Sequence, residues 1–267
     1  MTNHYTEITE QGKKLFIPFI TAGDPCAEAT IDLAFALQEA GASAIELGIP
    51  YSDPLADGPV IQSASKRALK QGMNIVKAME LVPEMREKGL KIPIILFTYF
   101  NPVLQLGEER FFALMRKNDV NGLLIPDLPF EENGDLRMKC RDAGITFISM
   151  AAPTSSQRLE KIAAGSEGFL YCVSSLGVTG ERKEFNESIY SFIEEVKSIA
   201  PIPVAVGFGI SSGEQAQKMN EVCDGVVVGS ALIRKIEALE DRLLDKELRK
   251  DAVKELREYA RTFVTSA

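Results

Sequence analysis

The amino-acid sequence predicts an α/β fold, a single (β/α)8 TIM barrel with extra N-terminal and inserted helices. Eight apolar runs of strand length alternate with segments of helical period along the chain. Several runs, such as IPIILF and GVVV, are almost continuously apolar, which is typical of parallel strands buried on both faces. The length of 267 residues fits one such barrel, which usually needs about 250. We therefore expect one domain over residues 1–267, with an open doubly wound sheet as the alternative.

Each expected element has its own local pattern. Strands are predicted at the short apolar runs Phe16–Ala22, Ala44–Ile49, Pro93–Tyr99, Gly122–Pro126, Phe147–Ala151, Phe169–Ser174, Val204–Phe208 and Gly225–Val228. Helices are predicted where apolar residues recur every three or four positions, at Ala27–Ala40, Val60–Gln71, Ile75–Lys88, Glu108–Lys117, Leu136–Ala143, Arg158–Ala164, Ser188–Ser198, Glu214–Asn220 and Ala231–Phe263. Gly41, Gly72 and Gly89 are expected to end the first three of these helices.

Composition narrows the possible functions. The net charge of −8 argues against a nucleic-acid partner, because phosphate backbones attract basic surfaces. No run is long and apolar enough for a membrane span, and no signal-like segment precedes the first strand, so we expect a cytoplasmic protein. The four cysteines lie far apart and His4, the one histidine, is expected in a frayed N-terminus. Zinc-type spacing and a histidine-based triad are therefore not expected.

The stretch ELGIPYSDPLADGPVIQ, residues 46–62, holds the strongest candidates for chemistry. Strand alternation places Glu46 on one face between the small residues Ala44 and Gly48, which predicts a cavity beside the carboxyl group. The loop that follows carries a second acid, Asp57, back toward the same strand end. Two acids in this position could form an acid–base pair, although capping of a turn is the more common use of an Asp before Gly.

Glycine and serine residues follow the last three strands, where barrel enzymes often bind phosphate. The segments are Leu176–Lys183, Gly207–Ser212 and Gly229–Ser230. Glycine admits backbone N–H groups close to an anion, and helix N-termini add unpaired donors. Tight turns would also explain a single glycine pair, but three such ends in consecutive units favour phosphate binding. Thr179 lies in the first segment, which we interpret as a lid.

The residues that have now been described carry a resemblance to the tryptophan synthase alpha chain family over nearly the whole sequence. FIPFITAGDP, ELGIPYSDPLADGPVIQ, PDLPFEE, LGVTG, VGFGI and VGSALI occur in the order of that family's motifs. The resemblance implies a (β/α)8 barrel and a lyase that cleaves indole-3-glycerol phosphate to indole and glyceraldehyde 3-phosphate.

The resemblance also implies roles for individual residues. Glu46 matches the catalytic acid–base glutamate, which would protonate the indole ring, and Asp57 matches the catalytic aspartate, which would stabilise positive charge on that ring. The implied substrate-binding positions are Phe19, Tyr99, Asp127, Tyr171, Thr179, Gly180, Phe208, Gly209, Gly229 and Ser230. The implied surface for a partner is formed by Asp53, Pro54, Asn101 and Pro129. That partner is the pyridoxal-phosphate-dependent beta chain in an α2β2 complex, and no cofactor or metal is implied in this chain. Another phosphate-binding barrel enzyme, or a non-catalytic activating subunit, is the alternative.

Overall fold

The computed structural model describes residues 4–173, 187–207 and 209–264. In this part of the chain nine short strands are present: β1 (Leu15–Thr21), β2 (Ile45–Gly48), β3 (Ile94–Phe97), β4 (Gly122–Leu124), β5 (Thr146–Phe147), β6 (Met150–Ala151), β7 (Leu170–Val173), β8 (Val204–Gly207) and β9 (Gly225–Val228). All paired strands are parallel, and the sheet order is β5-β4-β3-β2-β1-β9-β8-β7-β6. The prediction of a parallel α/β sheet is confirmed.

The sheet closes into a barrel through a divided strand. β5 and β6 lie at opposite ends of the sheet order, yet only Ile148 and Ser149 separate them in sequence. The backbone N–H of Ile148 donates to Leu123 O at 2.8 Å, and the N–H of Tyr171 donates to Ser149 O at 3.0 Å. Residues 146–151 therefore act as one barrel strand that joins both edges, which gives eight barrel positions. The predicted fifth strand, Phe147–Ala151, is therefore present as one barrel position, but it is divided at Ile148 and Ser149 because its pairing is shared between two neighbours.

Helices cover the outside of the barrel. They are α1 (His4–Glu10), α2 (Ala27–Ala40), α3 (Pro59–Lys70), α4 (Ile75–Glu87), α5 (Phe100–Leu106), α6 (Glu108–Lys117), α7 (Gly134–Asp142), α8 (Leu159–Gly165), α9 (Glu187–Ile199), α10 (Gly213–Asn220), α11 (Ser230–Ala238), α12 (Glu240–Leu244) and α13 (Arg249–Arg261), with a 3-10 helix at Pro153–Arg158. Among the described residues, no helix combines the length and the apolar character that a bilayer span requires.

The C-terminal region differs from the single helical stretch that the sequence predicted. It forms α11, α12 and α13, with an interruption after Leu244. Asp245 has an extended backbone there, and its Oδ1 accepts hydrogen bonds from the N–H groups of Glu247 at 2.8 Å and Leu248 at 3.3 Å. An Asp side chain that binds the backbone in this way competes with helical hydrogen bonding, which explains the break.

Helix α1 closes the end of the barrel at which the strands begin. Tyr5 is 5% exposed, and its ring meets Phe169, just before β7, edge to face with 5.0 Å between centroids. Nε2 of His4 lies 3.2 Å from Ser43 O, just before β2. His4 therefore belongs to a packed helix, and the expectation of a frayed end is wrong. Burial, and secondly the Glu46 carboxyl, raise the pKa of Tyr5, so this ring lies below the acid.

Candidate active site

Glu46 points into the barrel beside Phe19. These two residues pair in register across β1 and β2, and both line a pocket at the centre of the barrel. The Glu46 side chain has no ionic partner among the described residues, and its Oε1 has no hydrogen-bond partner there. Burial raises the pKa of this carboxyl to about 8, because a charge is poorly solvated in the barrel interior. Glu46 is therefore mostly protonated at neutral pH and can donate a proton.

Asp57 reaches the same pocket from the loop after β2. It is 4% exposed and directly precedes Gly58, the N-terminal capping position of α3. Burial raises the pKa of Asp57 to about 6, while a hydrogen bond with the Tyr99 hydroxyl acts in the opposite direction. Its Oδ1 has no hydrogen-bond partner among the described residues. At neutral pH Asp57 is mostly ionised, so the two acids differ in protonation.

Two aromatic rings in the pocket lie against glycines. An added Cβ at Gly48 would stand 2.4 Å from Cζ of Phe19, and one at Gly207 would stand 2.1 Å from the Tyr171 hydroxyl. The space that the sequence predicted beside Gly48 is therefore filled by Phe19. Glu46 and then Asp57 add to the effect of burial in raising the pKa of Tyr171, which keeps this hydroxyl protonated.

The pocket is narrow in this conformation. Including its open mouth it holds about 450 Å³, but the volume that a water-sized sphere can occupy is about 30 Å³. This is room for one or two water molecules. A ring-sized ligand therefore enters only when lining side chains move.

Glycines and a helix N-terminus form another part of the pocket wall. Gly209, with φ of 103°, Gly229 and Ser230 all line it. Gly229 is the N-cap of α11 and places no side chain over the first turn. The N–H groups at the start of this helix are therefore available to an anion, and the helix dipole favours negative charge at this end. Ser212, by contrast, caps α10 through the N–H of Gln215.

A buried ion pair holds α3, the helix that follows Asp57. Arg67 Nε and Nη2 donate to the two oxygens of Asp24 at 2.7 and 2.9 Å, and the Asp24 side chain is fully buried. Arg67 Nη1 also donates to Glu237 on α11 at 2.7 Å. One side chain therefore links the helix after Asp57 to the helix that carries Ser230.

Two predicted site residues do not line the pocket. Tyr99 is 2% exposed, and its hydroxyl accepts the N–H of Ala56 at 3.0 Å besides binding Asp57, so it holds the β2 loop. Asp127 accepts the N–H of Phe100 at 3.0 Å and thereby caps α5.

Three further predicted substrate-binding residues, Thr179, Gly180 and Phe208, lie outside the described residues.

Four lining residues were missed by the sequence analysis: Ile61, Phe97, Ile210 and Val227. Strand alternation could have found two of them, because Phe97 precedes Tyr99 by two positions and Val227 precedes Gly229 by two. Ile61 stands one helical turn after Asp57 and carries no comparable signal.

The predicted partner surface lies at solvent. Asp53, Asn101 and Pro129 are exposed and Pro54 is half-buried. Leu55 is 76% exposed and Leu104 is 53% exposed, both beside these residues in sequence. Asn101 Nδ2 donates to the Tyr51 hydroxyl at 2.8 Å, which ties the β2 loop to α5.

Comparison with known proteins gives a consistent result. The family model described as tryptophan synthase alpha chain matches residues 5–265. The tryptophan synthase alpha chain of Bacillus pumilus is 65% identical over 254 residues, which is 95% of each chain. The crystal structure of tryptophan synthase subunit alpha from Legionella pneumophila is 31% identical, with a TM-score of 0.87, over 98% of this chain and 97% of that one. A structure of the tryptophan synthase α2β2 complex of Pyrococcus furiosus is 38% identical, with a TM-score of 0.82, over 94% and 98%.

Proposed function

This chain belongs to the tryptophan synthase alpha chain family, and from this premise we propose that Glu46 and Asp57 carry out the family's lyase reaction. In that reaction, indole-3-glycerol phosphate is cleaved to indole and glyceraldehyde 3-phosphate. Neither alternative, another phosphate-binding barrel enzyme or a non-catalytic activating subunit, is favoured by the match. The observation that carries the assignment of roles is the difference between the two acids, of which one has a pKa of about 8 and the other of about 6.

Glu46 is proposed as the proton donor. Cleavage requires a proton on C3 of the indole ring, so that the electrons of the carbon–carbon bond can return to the ring when the bond breaks. A protonated carboxyl inside the barrel can supply this proton. The glycerol hydroxyl on the carbon that becomes the aldehyde must lose its own proton, and Glu46, ionised by the first step, can accept it.

Asp57 is proposed to stabilise the ring. Protonation at C3 places positive charge on the indole nitrogen, and an ionised Asp57 that accepts the N–H hydrogen bond offsets that charge. Its unpaired Oδ1 in the pocket supports this role.

Gly209, Gly229 and Ser230 are proposed to bind the phosphate at the N-terminus of α11. Phe19 and Tyr171 would contact the ring, and Thr179, Gly180 and Phe208 stay predictions.

The decisive experiment is Glu46→Gln, which keeps the shape of the side chain but removes its proton chemistry. We expect kcat for indole release to fall by about 10²–10⁴, the usual contribution of a general acid, while the Kd for the uncleavable analogue indole-3-propanol phosphate changes little. Glu80→Gln, at an exposed position on α4, is the matched control. Wild-type turnover by Glu46→Gln would overturn the role of Glu46.

We further propose that the chain assembles with a tryptophan synthase beta chain as α2β2. The similarity to the P. furiosus complex supports this proposal, as do the exposed leucines beside Asp53, Pro54, Asn101 and Pro129. Pyridoxal phosphate belongs to the beta chain, and the lyase step needs no cofactor in this chain. One catalytic domain over residues 1–267 and a cytoplasmic location are retained as proposals from the sequence.

A further inference from the structure

The backbone of Asp57 is tied to helix α3. Asp57 directly precedes Gly58, the N-cap of this helix, and Nε2 of Gln62 in its first turn donates to Asp57 O at 2.7 Å. Residues 51–56 of the preceding loop are half-buried or exposed. The hydrogen bonds of a helix are internal, so the helix moves as one unit. The position of α3 therefore sets the position of the Asp57 carboxyl group.

Arg67 anchors α3 to the loop after β1. Its Nε and Nη2 donate to the two carboxylate oxygens of Asp24 at 2.7 and 2.9 Å, and the Asp24 side chain is fully buried. A guanidinium group that binds a carboxylate through two parallel donors fixes orientation as well as distance. The other cations of α3, Lys66 and Lys70, are exposed. Arg67 therefore determines how α3 sits on the barrel.

The same side chain reaches α11, which carries the proposed phosphate site. Nη1 of Arg67 donates to Glu237 Oε1 on α11 at 2.7 Å and to Ser63 Oγ on α3 at 3.3 Å. About two turns nearer the helix N-termini, Ile61 of α3 and Gly229, the N-cap of α11, both line the active-site pocket. The two helices thus lie side by side, with their N-terminal ends at the pocket and Arg67 joining them further along.

In the proposed function these helix ends meet opposite ends of the substrate. Asp57, before α3, would bind the N–H of the ring, and the N-terminus of α11 would bind the phosphate. A ligand must reach both ends at once, and its ring and phosphate are joined by a chain of fixed length. The distance between the two helix ends therefore discriminates between ligands whose chains differ by one methylene group.

We propose that Arg67 is a positioning residue that sets the distance between the ring end and the phosphate end of the site, and thereby selects ligands by the length of the chain between ring and phosphate. Arg67 is not among the residues that line the pocket, so it acts through α3 and α11. The proposal rests on the proposed function for the identity of the two ends, but it concerns binding and requires no turnover.

The test compares two uncleavable ligands that differ by one methylene group, indole-3-propanol phosphate and indole-3-butanol phosphate. Calorimetry on the full chain measures the Kd of each, and we expect the unaltered chain to bind the shorter ligand about tenfold more tightly. Arg67→Lys keeps a positive charge beside Asp24 but loses the two-donor geometry. In this variant we expect the ratio of the two Kd values to fall below about threefold.

The ratio separates positioning from a merely structural role. Both ligands bind the same folded molecules, so partial unfolding of Arg67→Lys would weaken both equally and leave the ratio unchanged. Arg86→Lys is the matched control, because Arg86 on α4 donates to Ile92 O at 2.7 Å and Asn121 Oδ1 at 2.6 Å, at the end of the barrel where β3 and β4 begin. We expect its ratio to match that of the unaltered chain.

The outcomes distinguish this proposal from the proposed function. Absence of binding by both ligands to the unaltered chain would overturn the proposed function and this proposal with it. Binding without a preference for the shorter ligand, an unchanged ratio in Arg67→Lys, or an equal loss of preference in Arg86→Lys would overturn the role of Arg67 alone.

Discussion

At the scale of residues, the surroundings of Glu46 and Asp57 give two similar carboxyl groups different states. Glu46 has no ionic partner among the described residues and is protonated at neutral pH, whereas Asp57 has a hydrogen bond with Tyr99 and is mostly ionised. Pairs of acids whose environments separate their pKa values commonly divide the roles of proton donor and charge stabiliser. The sequence, with its family resemblance, predicted both residues and this division of roles; the pKa values that support the division depend on burial in the assembled barrel.

The first prediction concerns pH. Activity requires ionised Asp57 and protonated Glu46, so kcat/KM for indole release should rise as pH increases through about 6 and fall as pH increases through about 8. The profile should therefore have a maximum near pH 7. Steady-state assays between pH 5 and 9 measure it. A profile that keeps rising above pH 8 contradicts the assignment of Glu46 as the proton donor.

The second prediction concerns Tyr99. Its hydroxyl favours the ionised form of Asp57 and holds the N–H of Ala56. In Tyr99→Phe the pKa of Asp57 should rise, so the acidic limb of the pH profile should move upward and kcat/KM at pH 6 should fall by about tenfold. Tyr51→Phe is the matched control, because the Tyr51 ring lies 5.4 Å from Tyr99 between centroids while its hydroxyl binds Asn101. An unshifted limb in Tyr99→Phe would refute this role.

At the scale of elements, the packing of β1 against β2 sets the width of the active site. The ring of Phe19 lies over Gly48, where any other residue would displace it. The sequence pattern revealed which faces point inward but not that a neighbouring strand fills the space over a glycine.

The third prediction follows from this contact. Gly48→Ala should push Phe19 further into the pocket, because the new Cβ would stand 2.4 Å from its Cζ. We expect kcat/KM to fall about 10- to 100-fold and stability to fall by about 1–3 kcal/mol. Gly165→Ala, which would crowd Arg137 at 3.0 Å at the end of α8, controls for overpacking away from the pocket. Recovery of activity in the double variant Phe19→Leu, Gly48→Ala would assign the loss to the ring.

The boundaries of elements were predictable where local chemistry decides them. Gly41 has φ of 106° and ends α2, and Gly89 has φ of 105° after α4, both as expected. Helix α5 was missed, because Pro102 hid it and its cap, Asp127, comes from a distant loop. The division of the fifth barrel strand and the break after Leu244 likewise depend on hydrogen bonds that no sequence window contains.

At the scale of the whole molecule, eight strand–helix units were predicted from apolar periodicity, and the parallel barrel agrees with them. This part was accessible because strands buried on both faces leave a clear signal. The shape of the pocket could not be predicted from the sequence, because it depends on side chains from six strands and their loops. The same applies to the exposed leucines near the predicted partner surface.

The fourth prediction concerns assembly. Leu55 is the most exposed of the large apolar side chains on the described surface and stands beside Asp53 and Pro54. Leu55→Asp should weaken the complex with a tryptophan synthase beta chain by about tenfold or more, since a charge would be buried at the interface. Sedimentation velocity with added beta chain measures it. Leu244→Asp, an exposed leucine on α12, is the control, and equal affinity of both variants would place the interface elsewhere.

Helix α1 has a consequence for how the chain is handled as well as for how it folds. A carboxyl group keeps a high proton affinity only while water is kept away from it, and Tyr5 closes the barrel beneath Glu46. Residues 4–10 contain no candidate catalytic group, yet they limit the hydration of the acid that is proposed to do the chemistry. In a truncated or fused chain that still folds but has this helix displaced, the pKa of Glu46 would therefore be lower, and the working range would lie at lower pH than that of the intact chain.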